Sequence, residues 1–494
     1  MSKSKGKRPN IIFFFTDQHS SQFLGASNVR DEEGRPLADT PNLDRLAQSG
    51  VYCSNSYCQN PLCVPSRSSM LTGEYSKHLG IYENRHILEP DALTIPKLLS
   101  QAGYRTALIG KAHFNGEQWH GYQQRPYGDI LGQAHQSEYL RTGHFRESEH
   151  GLEDLLDNSG STDIPLALTQ TEICVAESVK WLQEHALGAQ QPFFLSVNFD
   201  KPHFPYRAPQ RLYEKYIDRV KLADTWELSQ QDTGWMVEFV QKAFEVNGGW
   251  EHWGKDKEIH RRALAAYCAC VEWVDDAIGR IIDAMTYLGL IEDTLIVYAS
   301  DHGEMASEKG AWQKSVFYDQ SVKVPMIFSW PGYIRENSIT NELVGLIDLM
   351  PTFAEYGQCL EGCADKEGLS LKALLEQGVP LDRTEIFAES VVLKVPEHAG
   401  CMMRTQRFKY NYYLVGRHEL YDMENDPNEL NNAINDSSYA STAAMMKARI
   451  ETFWKPDQQR DRYHACPRVA REKHFHLSAN QFVSSDGVII EAFP

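Results

Sequence analysis

A chain of 494 residues exceeds the size at which one hydrophobic core usually keeps growing, so two domains are expected. With 42% hydrophobic and 23% charged residues, the composition is that of an ordinary globular protein and excludes long disordered tracts. A net charge of -18 argues against a nucleic-acid binder, while leaving room for a local basic pocket that takes one small anion.

The basic start, with Lys3, Lys5, Lys7 and Arg8, precedes only five apolar residues, Ile11 to Phe15. A secretory signal needs a longer apolar core, and no segment reaches the ~20 apolar residues of a membrane span. A cytoplasmic protein without a membrane partner is therefore expected. The Ile11–Phe15 run itself, ending at Asp17, reads as a buried central strand of a parallel sheet. Thr40-Pro41 opens a helix, with Thr40 as N-cap and proline in the first turn. Leu93 to Gly103 reads as a helix ending at glycine, and Tyr104 to Ile109 as a strand. A helix from Glu172 to His185 precedes a strand from Phe193 to Val197. A long helical pattern covers Ile259 to Leu290, then the strand Thr294 to Ala299 leads into Asp301-His302-Gly303. Val324 to Trp330 supplies a further apolar strand.

This alternation predicts an α/β sandwich with a mostly parallel central sheet. Ligands in such sheets sit at the carboxyl ends of strands. Asp17, Lys111, the segment near His203 and Asp301 all follow predicted strands, as a shared site requires. The texture changes after about residue 365. Glu385 to Glu389 and Met402 to Tyr413 read as antiparallel strands, and Asp422 to Leu430 is acidic and turn-rich. The expected division is a larger domain over 1–365 and a smaller domain over 366–494. The ten cysteines are scattered, and the close pairs among Cys53, Cys58, Cys268, Cys270, Cys359 and Cys363 lack zinc-finger partners, so reduced structural thiols are expected.

Cys63 opens the run Cys63-Val64-Pro65-Ser66-Arg67, followed by Leu71-Thr72-Gly73. Read alone, Cys63 is a small buried apolar residue. With its neighbours it resembles the C-x-P-S-R signature of the type I sulfatases of the alkaline phosphatase superfamily, in which the cysteine is oxidised to formylglycine. The resemblance implies an alkaline-phosphatase-like fold and a maturation enzyme as partner. The hydrate of such an aldehyde has two hydroxyls: one attacks sulfur and the other expels sulfate, dividing the reaction into two easier steps.

Further roles follow from the same resemblance. Asp17 and Gln18, Asp301 and His302, together with Cys63, match the family's metal site. Many members have two consecutive aspartates where this chain has Asp17-Gln18, so a neutral amide oxygen replaces a carboxylate and leaves more net positive charge for an anionic substrate. Calcium is the family norm, and the His302 nitrogen leaves manganese and magnesium open. Arg67 matches the arginine that stabilises the hydrate and the bound anion. Gly110-Lys111-Ala112-His113 matches G-K-x-H, with Lys111 on the sulfate oxygens and His113 on the diol. Pro202-His203-Phe204-Pro205 matches P-H-x-P, and His203 with Lys314 would protonate the leaving alcohol. Glu419 to Asn431 is similar to a segment of the family's C-terminal domain, so the resemblance implies a catalytic domain over 1–365 and a smaller domain over 366–494 that completes the substrate pocket.

Gly110 to Gly116 with Gln118, His120, Gly121 and Arg125 looks like choline-sulfatase-like enzymes, as does the Gly310-Ala311-Trp312 stretch. Lys201 to Arg207 looks more like sugar-sulfate hydrolases. The leading expectation is hydrolysis of a sulfate monoester, with a sugar sulfate, oligosaccharide sulfate, choline sulfate or aryl sulfate as substrate. The alternatives are a phosphonate monoester or phosphodiester hydrolase, and a non-catalytic binding protein of the same fold. The oligomeric state is left open, a homo-oligomer included.

Overall fold

The computed structural model describes residues 8–84, 86–114, 119–128, 156, 158–188, 190–228, 256–391, 396–465, 481–483 and 489–491. Strand β1 (Asn10–Asp17) is the apolar run expected, and it is buried on both faces. Ile12 and Phe14 enter one hydrophobic layer, while Ile11, Phe13 and Phe15 enter the other, as the two-residue strand period requires. It is followed by α1 (Pro41–Gln48), β2 (Val51–Cys53), α2 (Cys63–Thr72), α3 (Ile95–Gln101), β3 (Arg105–Gly110) and β4 (Gln124–Tyr127). Next come α4 (Gln170–Trp181), β5 (Phe193–Pro202), α5 (Lys257–Tyr287), β6 (Thr294–Ser300), β7 (Met326–Ser329), β8 (Ser338–Thr340) and α6 (Leu349–Tyr356).

The strands form one eight-stranded sheet in the order β8-β2-β7-β6-β1-β5-β3-β4. From β6 to β4 every pairing is parallel, and only β7 runs against its neighbours. Helices α2, α3 and α6 cover one face through Met70, Leu71, Leu98, Leu99 and Phe353. Helices α1, α4 and α5 cover the other through Leu46, Val175 and Ile278. In the register, Thr16 lies opposite Ser300, Asp17 opposite Pro202, and Gly110 opposite Asn198. The segments that carry Asp17, Lys111, His203 and Asp301 thus leave the sheet along one edge.

Several local expectations are corrected. Thr40 precedes α1 but does not cap it, because its hydroxyl accepts from Gly25 N at 2.8 Å and donates to Asp44 at 3.1 Å. The buried Asp275 carboxylate of α5 caps instead, accepting from Asn42 N at 3.1 Å and Leu43 N at 2.7 Å. The helix expected to run to His185 loosens after Trp181 into one wider π turn, Leu182–Ala186. The long helix stops at Tyr287, before the left-handed Gly289. Strand β7 is shorter than Val324–Trp330 and begins only after Pro325, whose missing N–H cannot join a ladder.

A second sheet of four antiparallel strands comprises β9 (Ile386–Val391), β10 (Ala399–Arg404), β11 (Phe408–Tyr413) and β12 (Glu419–Asp422). Helix α7 (Ala440–Trp454) packs Met446, Ile450 and Trp454 against its Cys401 and Met403. Lys409 of β11 is wholly buried; its ammonium meets Asp319 at 2.5 Å, Glu429 at 2.7 Å and the Phe317 carbonyl at 3.0 Å. Glu429 belongs to the Glu419–Asn431 segment, so that segment is tied to the chain just beyond Lys314. No helix among the described residues is long and apolar enough to cross a membrane.

Candidate active site

Cys63 is the first residue of α2, and every side chain of that helix is buried. The positive end of the helix therefore lies at the sulfur, which favours an anion there. Cys63 Sγ is 3.2 Å from His302 Nε2 and 3.8 Å from Asp17 Oδ1. One turn on, Arg67 spans the two buried aspartates: Nε donates to Asp301 Oδ2 at 2.9 Å and Nη2 to Asp17 Oδ2 at 3.1 Å. Its guanidinium also lies over the Phe15 ring, 4.9 Å from the centroid. Lys111 Nζ reaches Asp17 Oδ2 at 2.6 Å.

The loop after β3 is held by Asn198 of β5. Lys111 N donates to the Asn198 carbonyl at 2.9 Å, and Asn198 Nδ2 donates to the Lys111 carbonyl at 2.8 Å. Gly110 at the bend has φ 95°, and a Cβ there would meet Asn198 O at 1.9 Å, so no other residue fits. His113 follows with φ 58°, and its buried Nδ1 has no hydrogen-bond partner among the described residues.

Four ligand atoms, from Asp17, Cys63, Asp301 and His302, lie within 4.8 Å of one another. His302 Nδ1 is 2.9 Å from the Gly303 carbonyl, which can only accept, so Nδ1 carries the proton and Nε2 presents a lone pair to the cluster. Burial opposes charge on His302, but Asp301 and Cys63 together outweigh it and raise the pKa, a sign of the negative field a cation would meet. Two carboxylate oxygens and an imidazole lone pair fit one divalent cation, with the sulfur of Cys63 beside them. Gln18 has φ 72°; its N–H donates to Asp301 Oδ1 at 3.1 Å and its side-chain oxygen accepts from Lys314.

Lys314 Nζ also donates to His203 Nε2 at 2.9 Å, while His203 Nδ1 donates to the Phe204 carbonyl at 2.7 Å. Burial and then Lys314 hold the His203 pKa well below its usual value, so a neutral imidazole faces a cationic lysine. Burial, with Lys111 and Arg67 behind it, does the same to His113. Burial would lower Lys111, yet Asp17, with Cys63 and Asp301 behind it, raises it and keeps it charged.

The expected catalytic and metal-binding residues therefore gather in one place, Lys314 included. Of the stretch compared with choline-sulfatase-like enzymes, Asn115, Gly116 and Gln118 lie outside the described residues. His120 packs edge-on against Phe114, with centroids 4.9 Å apart, and Arg125 lies on β4, an edge strand of the sheet. Cys53, Cys58, Cys268, Cys270, Cys359 and Cys363 are free thiols and join no metal-binding cluster among the described residues. Sequence reasoning gave no role to Asn198, Tyr206, Tyr267 or Glu304, although each fixes a site residue. Glu304 sat beside the Asp301-His302-Gly303 motif and Tyr206 just after Pro202-His203-Phe204-Pro205; Asn198 and Tyr267 carried no signal.

A sequence profile described as sulfatase matches residues 9–358. The chain belongs to the sulfatase family. A second profile, the C-terminal region of N-sulphoglucosamine sulphohydrolase, matches residues 307–455. An N-acetylglucosamine-6-O-sulfatase from Bacteroides thetaiotaomicron is 28% identical over 93% of this chain and 88% of its own. A choline-sulfatase from Rhizobium meliloti is 28% identical over 86% of this chain and 82% of its own. The solved phosphonate monoester hydrolase of Agrobacterium radiobacter shares the fold, with TM-score 0.74 at 22% identity over 99% of this chain and 100% of its own. This sulfatase is a sulfuric ester hydrolase.

Proposed function

We propose that this sulfatase hydrolyses the sulfate monoester of an aliphatic alcohol, a sugar sulfate or choline sulfate in preference to an aryl sulfate. Cys63 is matured to formylglycine by a partner enzyme, and calcium is bound by Asp17, Gln18, Asp301, His302 and the matured residue 63. The observation that carries the reading is the convergence of Cys63, at a helix N-terminus, with two aspartates, the lone pair of His302 and the cations Arg67 and Lys111. The N-acetylglucosamine-6-O-sulfatase and choline-sulfatase relatives support it.

When present, formylglycine supplies a hydrated aldehyde as nucleophile, and the cation polarises the sulfate oxygens. Arg67 and Lys111 stay charged in the buried site and face the charge that builds on the non-bridging oxygens. His113, held neutral, accepts a proton from the hydroxyl that remains on residue 63. Lys314, a cation paired with neutral His203, holds the proton that the departing alkoxide takes.

Parallel rates on a sulfate and a phosphonate ester of one leaving group test the reaction class; faster phosphonate hydrolysis overturns it. His203→Ala should slow alkyl sulfate hydrolysis about 10²-fold or more and nitrophenyl sulfate hydrolysis far less, because nitrophenolate leaves without a proton. Equal losses would place His203 in anion binding instead. Asp301→Asn should lower bound calcium and turnover together, read by elemental analysis of the purified protein; active wild-type protein without metal would sink the metal assignment.

A further inference from the structure

The Gln18 carboxamide has two ends of nearly the same shape, and only the oxygen can ligate a cation. Its backbone is fixed twice, the N–H by Asp301 Oδ1 at 3.1 Å and the carbonyl by the Tyr267 hydroxyl at 2.7 Å. Neither contact chooses the orientation of the amide. The side-chain partners do. Lys314 can only donate and meets Oε1, while Nε2 donates to the Glu304 carboxylate and to the Tyr206 hydroxyl oxygen at 3.2 Å.

Glu304 is wholly buried, and both of its carboxylate oxygens face donors. Oε2 accepts from Gln18 Nε2 and from the Tyr206 hydroxyl at 2.8 Å. Oε1 accepts from Ala306 N at 3.0 Å and from Gln313 N, at the two ends of the loop that leads to Lys314. An amide at position 304 would turn its NH₂ either onto those backbone N–H groups or onto the Gln18 NH₂. Either choice sets donor against donor in a site without water-facing alternatives, where unmade bonds are costly.

We propose that Glu304, assisted by Tyr206, is a positioning residue that holds the Gln18 carboxamide with its oxygen toward the cation site. The same contact gives a reason for an amide, rather than a second aspartate-like carboxylate, at position 18: the neighbouring carboxylate is supplied by Glu304. The inference rests on the calcium reading above. It extends that reading to a residue that touches neither substrate nor the four-atom cluster.

The test is calcium chloride titration of metal-free protein by calorimetry, with the thermal midpoint of each metal-free variant measured alongside. Glu304→Gln should weaken calcium about 10- to 100-fold, the usual cost of losing a group that orients a ligand. The isosteric exchange Gln18→Glu with Glu304→Gln restores the donor–acceptor pairing. The carboxylate introduced at position 18 then accepts from the amide NH₂ introduced at position 304. The oxygen of that new amide accepts from Ala306 N and Gln313 N, and the Tyr206 hydroxyl turns to donate to the new carboxylate. The double variant should therefore bind calcium within about threefold of wild type. Wild-type affinity in Glu304→Gln alone overturns the proposal. Weak binding in both variants also overturns it, assigning Glu304 to loop support. Should Glu304→Gln fail to fold, the double variant decides: folded with near-wild-type affinity supports the clamp, and unfolded or weakly binding protein rejects it. A wild-type protein that takes up no calcium overturns the calcium reading itself, and the clamp with it.

Discussion

Cys63→Ala should abolish turnover, with a loss of about 10⁴-fold or more, while the thermal midpoint moves by only a few degrees. The alanine methyl keeps the start of α2 in place and removes one sulfur whose nearest partner is His302 Nε2 at 3.2 Å. What disappears is the nucleophile, for which Ser66 cannot substitute because its hydroxyl is committed to the Asp301 carbonyl. Cys63→Ser should form the sulfated residue and stop there, since a serine ester has no second hydroxyl to expel sulfate. Peptide mass spectrometry of active protein should show an aldehyde at position 63, and full activity from an unmodified thiol would refute the mechanism.

Arg67→Met should cost about 3–5 kcal/mol of stability, more than any other single change in the site, because it strips the shared cation from two buried carboxylates. Methionine fills the volume over Phe15 but carries no charge. The effect has a pH signature. Burial raises the Asp17 pKa, but the positive surroundings, Lys111 foremost and Arg67 with it, outweigh it and hold the carboxyl well below its usual range. A carboxyl depressed in this way contributes stability that is present above its unfolded pKa of about 3.9 and is lost as the pH falls through the folded value. Without Arg67 the folded value rises, so metal-free Arg67→Met protein should begin acid unfolding at a higher pH than wild type. Urea titrations across acidic pH measure both effects. A change under about 1 kcal/mol, the size of a surface pair, would mean that the buried bridge is not stabilising.

The sheet was legible where its strands are buried on both faces. Ile11 to Phe15 is wholly apolar and Leu295 to Val297 likewise, so no alternation marks a solvent side, and each strand runs into a site aspartate. Helix α2 was not legible as a helix, although it carries the nucleophile. All ten residues from Cys63 to Thr72 are buried, so serines and an arginine sit where an amphipathic pattern would place apolar groups. Strand β12 was not anticipated, and its last residue, Asp422, opened the tract read as turn-rich, because its strand character comes from pairing with β11. Thr40 had the right chemistry for a cap and the wrong neighbours, since Asp275 arrives from more than two hundred residues away. The site residues themselves were found through short motifs, of which those carrying Asp17, Lys111, His203 and Asp301 follow strand termini while Cys63 and Arg67 lie on α2. Their supporting groups were not, because which end of an amide faces which partner is a fact of three-dimensional packing.

The buried ammonium of Lys409 makes the two sheets electrostatically indivisible. Asp319 lies on the segment leading from Lys314 back to the large sheet, whereas Lys409 lies in the middle of the small one. Splitting the chain between them would leave each fragment with a charge built for an interior, facing either water across a raw apolar surface or a core with no counter-ion. Two independently expressed halves should therefore fail to fold alone, and insertions that lengthen this sulfatase are accommodated at loop tips, away from the junction.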